Sequence, residues 1–234
     1  MTGNWVFWLV VLLSLAAAAG QAWLRVQNRR RLKVWAQATG WQYAERYDEW
    51  TTISSSHPFG QGRDRRACDV VQGSFEAHPS VAFDYRWTTG NGKNRQVHHA
   101  HVVALRLPAY LPTVQVTPEG LGTVLAHLVG AQDMQFESED FNRAYRVTTG
   151  DLRTATDVIN PRLMERLLRG DARGVSWRID GVWILSWQAG GWDLDSLAAR
   201  LGVLAAVVRA VPRHVWQDHG YDPLTDSTPG EAVL

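Results

Sequence analysis

The chain has 234 residues, 24 Lys and Arg against 23 Asp and Glu, and one cysteine, Cys68. A single cysteine excludes an intramolecular disulfide framework and suits a reducing compartment; no N-x-S/T sequon occurs either. The formal charge of +1 hides a division: residues 25–33 hold five cations and no acid, so the rest carries 19 of the 24 cations against all 23 acids. A slightly acidic body behind a short basic neck excludes a basic nucleic-acid-binding surface as a partner for the domain. Lys33 and Lys93 are the only lysines, and with the many Ala, Val and Gly this points to a GC-rich bacterial origin.

Trp5 to Leu24 (WVFWLVVLLSLAAAAGQAWL) carries no charge. As a helix this run is about 30 Å long, the thickness of a hydrocarbon core. Trp5 and Trp8 lie at one edge and Trp23 at the other, where indoles favour the headgroup layer. Arg25, Arg29, Arg30, Arg31 and Lys33 follow, and no acid precedes Glu45. The positive-inside rule then keeps the flank cytoplasmic and residues 1–4 outside. The expected localisation is a single pass through the plasma membrane. The partners this implies are the bilayer, its anionic headgroups and membrane proteins. A cleaved signal peptide is the rival reading, since Ala16–Ala22 contains A-x-A-like sites. It requires a basic n-region that Met1–Asn4 lacks.

The helix is expected to continue through a neck, 25–40, ending on Gly40 as its C′ residue. The remaining chain reads as one α+β domain, 41–216, with a disordered polar tail, 217–234. Trp41–Tyr47 alternates as a strand, and Ser54–Gly62 is a loop. Arg66–Phe75, His78–Trp87 and Arg95–Leu107 read as an antiparallel meander. Asn91-Gly92 turns the second hairpin, and Pro108 and Pro112 are expected to end the third strand. Thr113–Val116 suggests a short extra strand and Pro118–Val129 a helix. Met134–Glu137 and Ala144–Thr148 suggest two more short strands. Asp151 caps one helix, and Asn160-Pro161 opens another in which Glu165 and Arg169 are spaced for an ion pair. Val175–Ile179 and Val182–Trp187 read as a hairpin through Asp180-Gly181. From Asp193, the stripe Leu194, Leu197, Leu201, Leu204, Val208 and Val211 predicts a long helix packed on the sheet and stopped by Pro212. The fold class expected is an N-terminal transmembrane helix followed by an antiparallel sheet, packed by a long C-terminal helix and shorter helices.

Chemistry-bearing constellations are few. His99 and His101 share a strand face and could give two imidazoles to a metal, with His78 or Cys68 as a third ligand; no fixed-spacing metal motif accompanies them. The expectation is no metal and no cofactor. Glu137, Glu139 and Asp140 form an acidic cluster that suits a docking turn paired with Arg143, Arg146 or Arg162 better than an acid–base pair. Cys68 reads as a buried strand cysteine, not a nucleophile. Of the tryptophans, Trp183 and Trp187 share a face with Leu185 on a strand apolar on both sides, which makes core packing the expectation.

The N-terminal span followed in order by HPFGQG, VAFDY, LPAYLPTVQVTPEG, FESEDFNRAYRV and INPRLMERLL resembles a family of uncharacterised single-pass actinobacterial membrane proteins, a domain of unknown function. The resemblance covers most of residues 1–212. It implies a membrane-anchored domain and supplies no catalytic residue. The functional expectation is a non-enzymatic binding or scaffolding module facing the cytoplasm. The alternatives are a membrane-tethered hydrolase using the Glu137/Glu139/Asp140 or His99/His101 region, or a pleckstrin-homology-like lipid-binding module by fold analogy.

Overall fold

The uncharged run and its basic flank form one helix, α1 (Asn4–Thr39), in the computed structural model, which describes residues 4–119 and 132–225. The helix runs unbroken because neither proline nor an N-capping turn interrupts it. Gly40 stops it at φ +74°, and Trp41 N–H donates to the Ala36 carbonyl at 2.8 Å, the closing bond of a Schellman cap. Trp35 and Trp41 bring their rings to 5.3 Å, and the Lys33 ammonium lies 4.9 Å from the centre of the Tyr43 ring. Among the described residues no helix is long and apolar enough to cross a membrane. The expectation of a transmembrane helix therefore reduces here to a helix whose Phe7, Trp8, Leu9, Val10, Leu12, Leu13 and Leu15 side chains are exposed.

The chain divides into two compact units, Met1–Tyr43 and Ala44–Leu234. The second is built on an antiparallel sheet, ordered β1-β2-β3-β4-β6-β5 with β7 also paired to β4. The strands are β1 (Gln42–Arg46), β2 (Arg63–Phe75), β3 (His78–Thr89), β4 (Gln96–Pro118), β5 (Gln132–Met134), β6 (Tyr145–Thr149) and β7 (Trp177–Ala189). The helices of this unit are α2 (Glu139–Ala144), α3 (Leu152–Val158), α4 (Pro161–Leu167), α5 (Leu194–Ala210) and α6 (Arg213–Asp218). The coarse class is thus α+β with an antiparallel sheet and several helices. The helix expected over 118–129 lies almost wholly outside the described residues, as does 226–234. Pro118 itself ends β4. Residues 217–218 belong to α6, and Asp222 accepts hydrogen bonds from Arg213 and Gln217.

Two local expectations are corrected, and they are linked. Pro108 and Pro112 do not end a strand: β4 is 23 residues long and passes through both. Its register against β7 breaks between Arg106 and Leu111 and again between Leu111 and Val114, so the prolines fall where ladder bonds are already interrupted. Asp180-Gly181 does not turn a hairpin either. β7 is one strand, and Gly181, at φ +67°, lies opposite Leu111 in the same irregular stretch. The positive φ that signals a hairpin serves a bulge instead. Both strands bend there. The Arg178 guanidinium lies 4.9 Å from the centre of the Trp187 ring, although nine extended residues span about 30 Å. The sheet is therefore rolled over its own inner face.

That inner face holds Val81, Phe83, Tyr85, Trp87, Ala100, Val102, Ala104, Leu185 and Trp187. The loop before β2 closes over it, contributing Phe59, Trp50 and Ile53, with Phe59 4.6 Å from the Tyr85 ring. The Trp187 indole is core, as expected, and Trp183, half-buried, packs against that core. The opposite face carries Val103, Leu105, Ile184 and Ser186, all buried, and α5 packs on it through Leu197, Leu201, Leu204 and Val208. The caps read from the sequence are formed: Asp151, Asn160 and Asp193 each accept from backbone N–H groups of the helix they precede. The Glu165–Arg169 pair is not; Arg166 instead grips Asp171 with bonds of 3.0 and 2.7 Å.

Candidate functional site: a cavity beside a buried arginine

The ends of β3, β4 and β7 meet the first turns of α5 and the loop that follows α4, and a cavity of about 770 Å³ opens between them. Its apolar walls are Trp87, Trp187, Pro58, Ala100, Ala189 and Val175. His98 stacks on Trp87 at 5.2 Å and shares a 2.7 Å hydrogen bond with the Thr89 hydroxyl. Its polar walls include His57, His99, Ser176, Ser186, Gln188, Ser196 and Arg200, with Arg173 exposed at the rim.

Arg200 sits on the apolar stripe of α5, one turn from Leu197 and Leu204, and is 3% exposed. Its Nε donates to Ser186 Oγ at 3.1 Å, one terminal nitrogen to His101 Nδ1 at 3.0 Å and the other to the His101 carbonyl at 3.1 Å. Among the described residues no carboxylate lies within ion-pair distance of it, though Asp193 supports its charge from farther off. Burial draws its pKa down to about 10, so it stays cationic at neutral pH. Because arginine only donates, His101 Nδ1 must accept and the ring proton sits on Nε2, which is buried with no hydrogen-bond partner. The His101 ring also lies 4.4 Å from that of Trp192.

A second buried cation stands on the inner face. Arg178, fully buried, donates to Gln115 Oε1 at 2.9 Å, to Ser54 Oγ at 2.8 Å and to the Ser56 carbonyl at 3.2 Å. Its Nε lies 3.7 Å from Asp180, whose carboxylate also accepts from Ser54 Oγ at 2.6 Å. Burial lowers this guanidinium to about 10 as well. The arrangement ties the loop before β2 to the bend of β7.

The residues singled out in the sequence fall into three places. His99 and His101 do share a face; His99 lines the cavity and lies 3.2 Å from both oxygens of Asp84, while His101 is held behind Arg200. Asp84 also accepts from Arg86 at 2.7 Å and pairs in register with Cys68 and His101. Burial pushes the Cys68 thiol up, the reverse of what a nucleophile requires. No group of three or more His, Cys, Asp or Glu gathers in a metal-binding arrangement among the described residues. Glu137, Glu139 and Asp140 are exposed and none lines the cavity. Ser138 caps α2, Glu139 and Asp140 occupy its first turn, and Arg143 bonds Asp140 at 2.7 Å. Of the interface set, Trp8, Trp23, Arg30, Arg31 and Lys33 are exposed on α1 and Arg29 is half-buried; the side chains of Trp5 and Arg25 lie outside the described set. The signal for the site itself is Arg200, a cation on the apolar stripe of a helix; Arg178, a cation between Trp177 and Ile179 on a buried strand, signals the second buried guanidinium, which does not line the cavity.

His101 gives the domain a pH dependence. Burial, and then the Arg200 charge, hold its pKa well below the ordinary 6.5, so the folded state keeps it neutral where the unfolded chain binds a proton. Its contribution is fully present above pH 6.5 and is lost as the pH falls below that value, by at most about 1.4 kcal/mol per pH unit for one proton. His57, also lowered by burial, adds in the same direction. H101Q is expected to flatten part of the slope between pH 5 and 6.5, checked by urea unfolding at several pH values; an unchanged slope would count against a neutral buried His101.

The chain matches no family model and no curated protein. Its fold is similar to the crystal structure of the mycobacterial trehalose monomycolate transport factor A, TtfA, at 16% identity and a TM-score of 0.60, over 79% of this chain and 96% of that one. At this identity the likeness is one of fold, and the neighbour is an actinobacterial protein.

Proposed function

We propose that the chain is a non-enzymatic, transport-associated binding module held at the cytoplasmic face of the plasma membrane by α1. The observation that carries this reading is the likeness of fold to a protein named as a transport factor for trehalose monomycolate, which extends over nearly all of that chain. The exposed apolar side chains of α1 from Phe7 to Leu15 support the anchor, because a free helix with such a surface is unfavourable in water. The exposed cations Arg30, Arg31 and Lys33 suit anionic headgroups behind it. Tethering raises the effective concentration of the domain near membrane partners. The apolar walls favour the lipid-binding form of this module over a hydrolase: the acidic cluster lies outside the cavity, and of His99 and His101 only His99 lines it.

Fractionation with protease protection and photo-crosslinking in native membranes tests the reading. The full chain is expected in the membrane fraction, with residues 41–216 shielded from external protease and crosslinked to membrane proteins. A soluble chain that external protease digests would sink it.

A further inference from the structure

Arg200 is a charge without a nearby counter-charge. Three of its five N–H groups are used by Ser186 and His101, and all three acceptors are neutral. The one carboxylate in the cavity wall, Asp171, is engaged by Arg166. A buried cation left in this state is unfavourable unless something compensates it. The cavity beside it is far larger than a small anion needs and lies within the range of small-molecule sites. Two indoles, Pro58, Ala100, Ala189 and Val175 make much of its wall apolar, and Arg173 adds a second cation at the rim. The occupant that satisfies both the cation and the walls is an anion with an apolar body.

We propose that this cavity binds an amphiphile carrying one carboxylate or phosphate, the anion seated on the remaining N–H groups of Arg200 and the apolar body lying along Trp87 and Trp187. This rests on the reading of the domain as a binding module and names its ligand class. The shared chemistry is the anion on a chain; a free anion and an uncharged amphiphile are the alternatives that the probes separate.

The test is equilibrium dialysis of the full chain in phosphatidylcholine vesicles, blanked against vesicles without protein. The probes are octyl phosphate, octanoate, uncharged octyl glucoside and inorganic phosphate. Octyl phosphate or octanoate is expected to bind one per chain, with octyl glucoside and inorganic phosphate each about tenfold weaker. A199W, placed at an exposed helix position in the cavity wall, is expected to abolish binding without touching Arg200. R200M is expected to erase the preference for the charged probes; if it fails to fold, A199W still decides. Equal binding of octyl glucoside, inorganic phosphate matching octyl phosphate, or wild-type binding by A199W would each overturn the proposal. A chain that binds none of these yet fractionates with membranes and crosslinks there loses this ligand and keeps the function proposed above.

Discussion

Replacing Arg178 with alanine is expected to lower the unfolding free energy by about 3–5 kcal/mol, the range for breaking a buried ionic network from one side. The guanidinium is the shared partner of Gln115, Ser54 and Ser56 and the counter-charge of Asp180. Its removal leaves the buried Gln115 amide oxygen without this donor and the half-buried Asp180 carboxylate without its counter-charge, and takes a cation from the face of Trp187. R178M keeps most of the volume over the indole and none of the hydrogen bonds, so it should recover only the packing part. Guanidinium unfolding followed by tryptophan emission measures both. A loss under about 1 kcal/mol for R178A would mean that the loop is held by its aromatic contacts alone.

The aromatic contacts supply the second large effect. Phe59 is 1% exposed and stands 4.6 Å from Tyr85 and 6.4 Å from Phe83, yet it belongs to a loop. F59A is expected to cost about 3–5 kcal/mol, as a buried phenylalanine truncated to alanine usually does. The same variant should raise proteolysis within residues 53–62, because the loop loses its main apolar anchor. F59L, closer in volume, should cost roughly 1.5 kcal/mol or less. If F59A unfolds the domain no more readily than F59L, the loop collapses into the space and Phe59 is not the anchor.

What could be read from the sequence was what local chemistry decides. Asp151, Asn160 and Asp193 cap helices because a short side chain before a periodic run has an N–H to accept from, whatever the tertiary setting. The meander from Arg66 to Leu107 was legible because one face of each strand is apolar at a period of two. Pro108, Pro112 and Gly181 depart from their local signals for a common reason. Each breaks a regular element when considered alone, and only the pairing of β4 with β7 shows that the three irregularities coincide and cancel into one bend. The cavity was hidden more deeply. Its residues come from six segments between His57 and Arg200, and no local spacing links them. His99 lines it and His101 is held behind Arg200, whose charge binary patterning treats as an intrusion in an apolar stripe.

The bend in β4 and β7 has a hereditary side. Strand side chains alternate, so adding or removing one residue on either side of Leu111 and Gly181 would turn everything beyond it to the other face. Arg178 would leave the inner face, and Trp177 would take its place opposite the loop. The interrupted stretch between Arg106 and Val114 is where the ladder tolerates irregular backbone. It is also where a length change would be most damaging. Related chains should therefore hold the number of residues across this stretch fixed, and vary in composition only at its exposed positions.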